Sequence, residues 1–167
     1  MVNAPKDFIN DIERAIIDQL RTTFTDIHVY GQYPEAIDIQ YPAIISEITS
    51  SGMFDKFMGE DVTFGNEVKV GELVGIIFTY HIVINKDSEL NVAQGTDPES
   101  YVVYKGRRLL NYLMLNVANV LMDCDFTSEG TEVVSRYHTG FRDMGYDSDL
   151  ELWGATTGMI IVFKNTR

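Results

Sequence analysis

Cysteine is almost absent from this 167-residue chain: Cys124 stands alone, which excludes an intrachain disulfide framework and suits a reducing compartment. Basic residues are also few, 13 against 25 acidic ones, for a formal net charge of −12. That balance favours solubility and argues against a general grip on nucleic acid, which needs a basic stripe. No apolar run reaches the roughly 18 residues that indicate a membrane span. Residues 1–8 hold one lysine and no hydrophobic run, so they do not read as a secretory signal. Internal repeats, low-complexity tracts and dividing linkers are missing as well.

The signatures of common chemistries are missing too. Neither G-x-x-x-x-G-K-[ST] nor G-x-G-x-x-G occurs, so nucleotide binding has no support. There is no G-x-S-x-G elbow, and Cys124 has no histidine near it in sequence, so it reads as a packing residue. His28, His81 and His138 are each isolated. His28 and His81 fall on strand-like runs that could bring them face to face, but neither has a carboxylate or cysteine at ligand spacing, so both read as structural or surface histidines. The acidic run Asp143, Asp147, Asp149 and Glu151 invites a calcium reading. An EF-hand loop, however, needs a glycine at its sixth position and flanking helices, and Gly145 falls elsewhere. Any two acids can meet in space, yet nothing singles out a catalytic pair. The expectation is therefore no catalytic residue, no cofactor and no metal site.

Hydrophobic residues make up 45 % of the chain, enough for one globular domain with a substantial core. The clearest pattern spans residues 97–124. Asp97 can cap a helix, Pro98 suits its first turn, and Glu99 places negative charge where the dipole favours it. Val102, Leu109, Leu110, Leu113, Met114, Val117, Val120 and Leu121 then recur at steps of three and four, predicting a helix of about six to seven turns. Arg107, Arg108, Asn111, Asn116 and Asn119 fall mostly on its other side. Lys105, Arg107 and Arg108 form the only local basic cluster, read as a solvated helix face or a subunit contact.

An earlier helix is predicted from Phe8, Ile9, Ile12, Ile16, Ile17 and Leu20, ending near residues 21–25. Strands follow at 26–30, at 43–48 behind Tyr41-Pro42, and at 73–84, where Phe78, Tyr80, Ile82 and Ile84 share one face. Residues 85–94 read as a polar turn region. A strand is expected at 131–137, an acidic loop at 143–151, and a last strand at 152–163 that pairs with 74–84 under the long helix. Residues 49–71 carry Met53, Phe54, Phe57 and Met58 among charges and glycines, too apolar for a plain loop of that length. An extended hairpin or arm is expected there, its apolar groups either buried on a neighbouring subunit or folded back on their own sheet. The fold class is α+β: one domain with a mostly antiparallel or mixed sheet, flanked by an N-terminal helix and a long central helix.

This order of elements resembles the tail terminator proteins of tailed bacteriophages, also called tail completion or head–tail joining proteins. The likeness is carried by Ile16-Ile17-Asp18-Gln19-Leu20, Ile27-His28-Val29-Tyr30, Tyr33-Pro34-Glu35 and Tyr41-Pro42-Ala43-Ile44-Ile45. It continues through residues 76–84, the helix around 106–121, and Met159-Ile160-Ile161-Val162-Phe163. The insert at 49–71 departs from the pattern.

The resemblance implies a non-enzymatic virion protein, assembled in the host cytoplasm into a homo-oligomeric ring, typically a hexamer. Such a ring caps the head-proximal end of the tail tube and stops its growth. Its partners are the tube protein, the neck or connector proteins, and the sheath where one exists. DNA would pass without specific binding, and Glu60, Asp61, Glu67 and Glu72 would supply repelling charge. Met53, Phe54, Phe57, Met58, Lys105, Arg107 and Arg108 are then the candidate interface residues. Other readings are a different neck, head-completion or baseplate protein, an adaptor acting through 51–71, or a small hotdog-like enzyme. A hotdog fold places most strands after its central helix, whereas only about two follow it in this chain.

Overall fold

The computed structural model describes residues 8–31, 38–53, 61–64, 67–93, 100–126 and 132–166. In chain order these form α1 (Phe8–Thr23), β1 (His28–Tyr30), β2 (Ala43–Met53), β3 (Asp61–Phe64), β4 (Glu67–Asn85), β5 (Glu89–Ala93) and β6 (Tyr101–Lys105). They continue with α2 (Gly106–Asp123), β7 (Glu132–Asp147) and β8 (Leu152–Thr166). The main sheet runs β1-β2-β4-β8-β7, with β3 folded onto the start of β4, and β5 and β6 form a separate ribbon. Only β1 and β2 are parallel. The architecture is the expected α+β fold, and the paired strands β4 and β8 under α2 are the expected centre.

Alternation along β4 decides which face is covered. Ile76, Phe78, Tyr80, Ile82 and Ile84 are fully buried on one face, opposite Ile161, Met159, Thr157, Ala155 and Trp153 of β8. Ile12, Ile16, Ile17 and Leu20 of α1 and Leu109, Leu110, Leu113, Val117 and Leu121 of α2 close over that face. Ile77, Thr79, His81 and Val83 point to the opposite face and stay partly exposed.

The long helix is shorter than its sequence pattern predicts. Residues 101–105 belong to β6 and pair with β5, which also replaces most of the expected turn region at 85–94. Tyr101, Val102, Val103 and Tyr104 are aromatic or β-branched, and their strand preference outweighs the helical spacing that assigned Val102 to α2. Gly106 makes the break at φ +52°, a conformation suited to glycine, with Trp153 packed beside it. Lys105 occupies the cap position and makes no side-chain capping bond. The expected cap residues Asp97, Pro98 and Glu99 lie outside the described residues, as do Tyr33, Pro34, Glu35 and Glu60.

The second correction concerns β7, which runs on to Asp147 through a stretch expected to be loop. Its pairing with β8 shifts register between Val133 and Ser135, between His138 and Phe141, and between Asp143 and Gly145. These bulges absorb the glycines and charges that broke the strand pattern. In the 49–71 segment, β2 extends to Met53, and β3 forms a hairpin with β4 in which Phe64 stands opposite Glu67. This agrees with the expected arm.

β7 also charges both ends of α2. The helix has no acid in its first turn and no base in its last. Asp143 pairs with Arg107 at the N-terminal end (2.6 Å), and Arg136 donates to the Met122 carbonyl at the C-terminal end (2.7 Å). Both placements complement the helix dipole. Arg136 also lies 4.8 Å from the centre of the Phe126 ring. Among described residues the Tyr80 hydroxyl is buried without a hydrogen-bond partner, beside Ser46, whose own hydroxyl donates to Glu13 Oε1 (2.9 Å).

These contacts set two mutational expectations of opposite sign. Arg136→Ala should lower unfolding free energy by about 1 kcal/mol, through loss of a charged cap on α2. Tyr80→Phe should leave it unchanged or raise it by about 1 kcal/mol, because it removes an unsatisfied buried group. Urea unfolding of both variants checks the signs.

Burial pushes the Cys124 thiol up to about 11 from its ordinary 9.0, and burial likewise raises the Tyr80 phenol well above 10.0. Both groups favour the neutral form in the fold, so the stability they contribute is complete below about pH 9. The Cys124 part is lost as pH climbs from 9 through 11, and the Tyr80 part is lost only above pH 10. Urea midpoints should fall across that window, and Cys124→Ala should flatten the part of the slope between pH 9 and 11.

Candidate functional site

The described residues hold no convergent chemistry. No group of three or more His, Cys, Asp or Glu side chains among them is placed to bind a metal ion. The acidic run is used internally: Asp143 Oδ1 accepts from the Gly145 amide (2.8 Å), and Asp147 Oδ1 accepts from the amides of Asp149 and Leu150 (2.9 and 3.0 Å). Glu151 pairs with Lys86 (2.6 Å). It is therefore a strand end and a side-chain-braced turn.

The histidines do not meet. His81 is aligned with Ile45, and through it with Tyr30, while His28 is aligned with Ala43. His81 Nε2 lies 2.8 Å from Glu47 Oε2, and His138 Nε2 lies 2.7 Å from Thr157 Oγ1.

Among the described residues three open grooves are candidate binding sites. One of about 360 Å³ lies between the end of α1, β5 and α2; its only ionisable carboxylate is Asp26, beside Thr23, Thr25, Tyr112 and Asn116. A second, of about 270 Å³, lies on the uncovered sheet face around Val83, Met144, Leu152 and Gly154. The third is flanked by the Lys86–Glu151 pair. None sets a nucleophile, a base and an oxyanion donor around one point.

What the surface does concentrate is apolar area along β7 and its turn. Val134 (48 % exposed), Tyr137 (53 %), Phe141 (51 %), Met144 (64 %), Tyr146 (47 %) and Leu150 (67 %) follow one another there. An aromatic side chain presents about 150–250 Å², so half-exposure of three of them leaves about 300 Å² open. Val134, Met144 and Leu150 raise the total to about 500 Å², divided between the two faces of the strand, and exposed apolar area on this scale commonly marks an interaction site.

The belt wraps the strand. Tyr137 stands opposite Ile160 on the uncovered face, where Met144 also rests on Gly154. Phe141 stands opposite Thr157, and Tyr146 opposite Trp153, both on the helix-covered face. Tyr146 and Trp153 also pack ring against ring, with centroids 4.4 Å apart.

The basic residues picked out in the sequence are exposed, and each has an internal partner. Lys105 pairs with Glu89 across the ribbon, Arg107 pairs with Asp143, and the Arg108 guanidinium lies 4.5 Å from the Tyr104 ring centre. Exposed pairs of this kind are worth at most about 1 kcal/mol, so a partner can displace them. Met53 is the last residue of β2, whereas Phe54, Phe57 and Met58 lie outside the described residues. The belt residues were missed because a strand pattern had been recognised only to Tyr137. The signal available was four large apolar residues, Phe141, Met144, Tyr146 and Leu150, spaced through an otherwise polar stretch.

Among the described residues, no helix is long and apolar enough to cross a membrane. In comparison with known proteins, no family model matches this chain and no curated protein matches it.

Proposed function

We propose that this chain is a structural assembly protein of the tail terminator type, which forms a closed ring at the head-proximal end of a phage tail tube. The observation that carries the reading is the apolar belt on β7. A strand of sixteen residues lies at the sheet edge with large side chains open on both faces, which calls for a protein partner rather than a small molecule. The lack of a convergent acid, base or metal constellation among the described residues is compatible with a role based on shape and contact. The net charge of −12 fits a ring through which DNA passes without being held. In this reading the tube protein and the neck or connector proteins are the partners, and no cofactor is needed.

Negative-stain imaging and mass photometry of the purified protein, alone and mixed with tail tubes of its own particle, test the proposal. Rings at tube ends, and tubes that stop growing when the protein is added, are the expected result. A monomer that ignores tubes and hydrolyses acyl thioesters would overturn it in favour of a hotdog-like enzyme.

A further inference from the structure

The main sheet has two unlike edges. On one side β7 pairs only with β8 among the described residues, leaving its other side without a strand neighbour along sixteen positions. On the opposite side β1 covers only residues 43–45 of β2, and Arg21 of α1 closes β1 by donating to the Val29 carbonyl (3.0 Å). Residues 46–53 of β2 have no strand neighbour on that side among the described residues.

We infer that the outer edge of β7 takes up residues 46–53 of β2 from a second copy of this chain, joining neighbouring sheets edge to edge. This deepens the ring reading and rests on it. Three observations choose this occupant.

First, the apolar belt lies on both faces of β7. A partner packed on one face would leave half of it wet, whereas an added strand flanks both faces at once. Second, the two edges differ in identity and lie on opposite sides of the same sheet. A contact between them is head-to-tail, the kind that closes into a ring when its rotation allows, and closure covers the open stretch of β2 together with about half of β7.

Third, copies of a protein with net charge −12 repel one another wherever their acids meet. These two edges are nearly neutral. Residues 46–53 carry one charge, Glu47, and β7 balances Arg136 and Arg142 against Glu132, Asp143 and Asp147.

Cysteine cross-linking of the full chain tests the joint, because native Cys124 is only 3 % exposed and does not compete. Tyr137→Cys is combined with Ser50→Cys or with Ser51→Cys, two consecutive positions of β2. Mild oxidation should convert at least one double variant into a ladder of covalent oligomers ending at the ring size on a non-reducing gel. The single variants should stay monomeric on the same gel.

As an independent check, Tyr137→Glu and Met144→Glu alter exposed positions. They should keep the wild-type melting temperature while weakening assembly at least about tenfold in mass photometry. Dimers from Tyr137→Cys alone would mean two-fold pairing of β7 with itself and would overturn the inference. Wild-type rings with no ladder from either double variant and full assembly of both glutamate variants would place the joint elsewhere, leaving the ring reading intact. A wild-type protein that stays monomeric with and without tubes would remove the ring reading, and the joint with it.

Discussion

Fifteen consecutive residues of β4 pair with β8, from Gly71 opposite Thr166 to Asn85 opposite Leu152, and the rest of the molecule is arranged around that ladder. A one-residue slip would turn Phe78, Tyr80, Ile82 and Ile84 away from the helices and bring Ile77, Thr79, His81 and Val83 inward. The buried stripe of α2 holds the register: Leu109, Leu110, Leu113, Val117 and Leu121 have an apolar floor only in the native alignment. Sheet and helix therefore specify one another, through burial rather than through any individual polar bond.

The polar contacts refine this core. α2 begins with two arginines, which oppose its dipole, and lacks a basic residue in its last turn. β7 compensates with Asp143 near the start and the Arg136 bond at the end. The strand that carries the apolar belt is thus also the one that orients the long helix. Its bulges let one strand serve both purposes, since each shift of register re-aims the side chains that follow. A neighbour docked on β7 would press against an element tied to the helix layer, so assembly and the protomer's own stability are mechanically linked in the proposed ring.

Much of the fold was legible in the residues. Ile12, Ile16, Ile17 and Leu20 marked α1, the alternation from Phe78 to Ile84 marked the central strand, and Tyr41-Pro42 marked the start of β2. The errors share one physical origin. Residues 101–105 were drawn into the helix because Val102 happens to fall on its stripe, although aromatic and β-branched side chains prefer the β5–β6 ribbon. Residues 143–147 were taken for loop because bulges with Gly140 and Gly145 at positive φ hide the strand's alternation. The same bulges hide the belt of Tyr137, Phe141, Met144 and Tyr146 in the sequence, whereas the conspicuous basic cluster is paired internally.

By itself the sequence determined the class of the fold, the inward faces of its main strands and helices, and the lack of recognisable catalytic motifs. These depend on local periodicity and residue chemistry, which are written along the chain. Which strands end up at the rim, and which apolar side chains are left open there, only the tertiary structure decided. Exposure depends on what packs against a residue from far away in sequence. Tyr137 and Tyr80 are the same residue type on strands of one sheet. Tyr80 is buried because it lies on the helix-covered face of the central strand β4, and Tyr137 is open because it lies on the uncovered face of the edge strand β7.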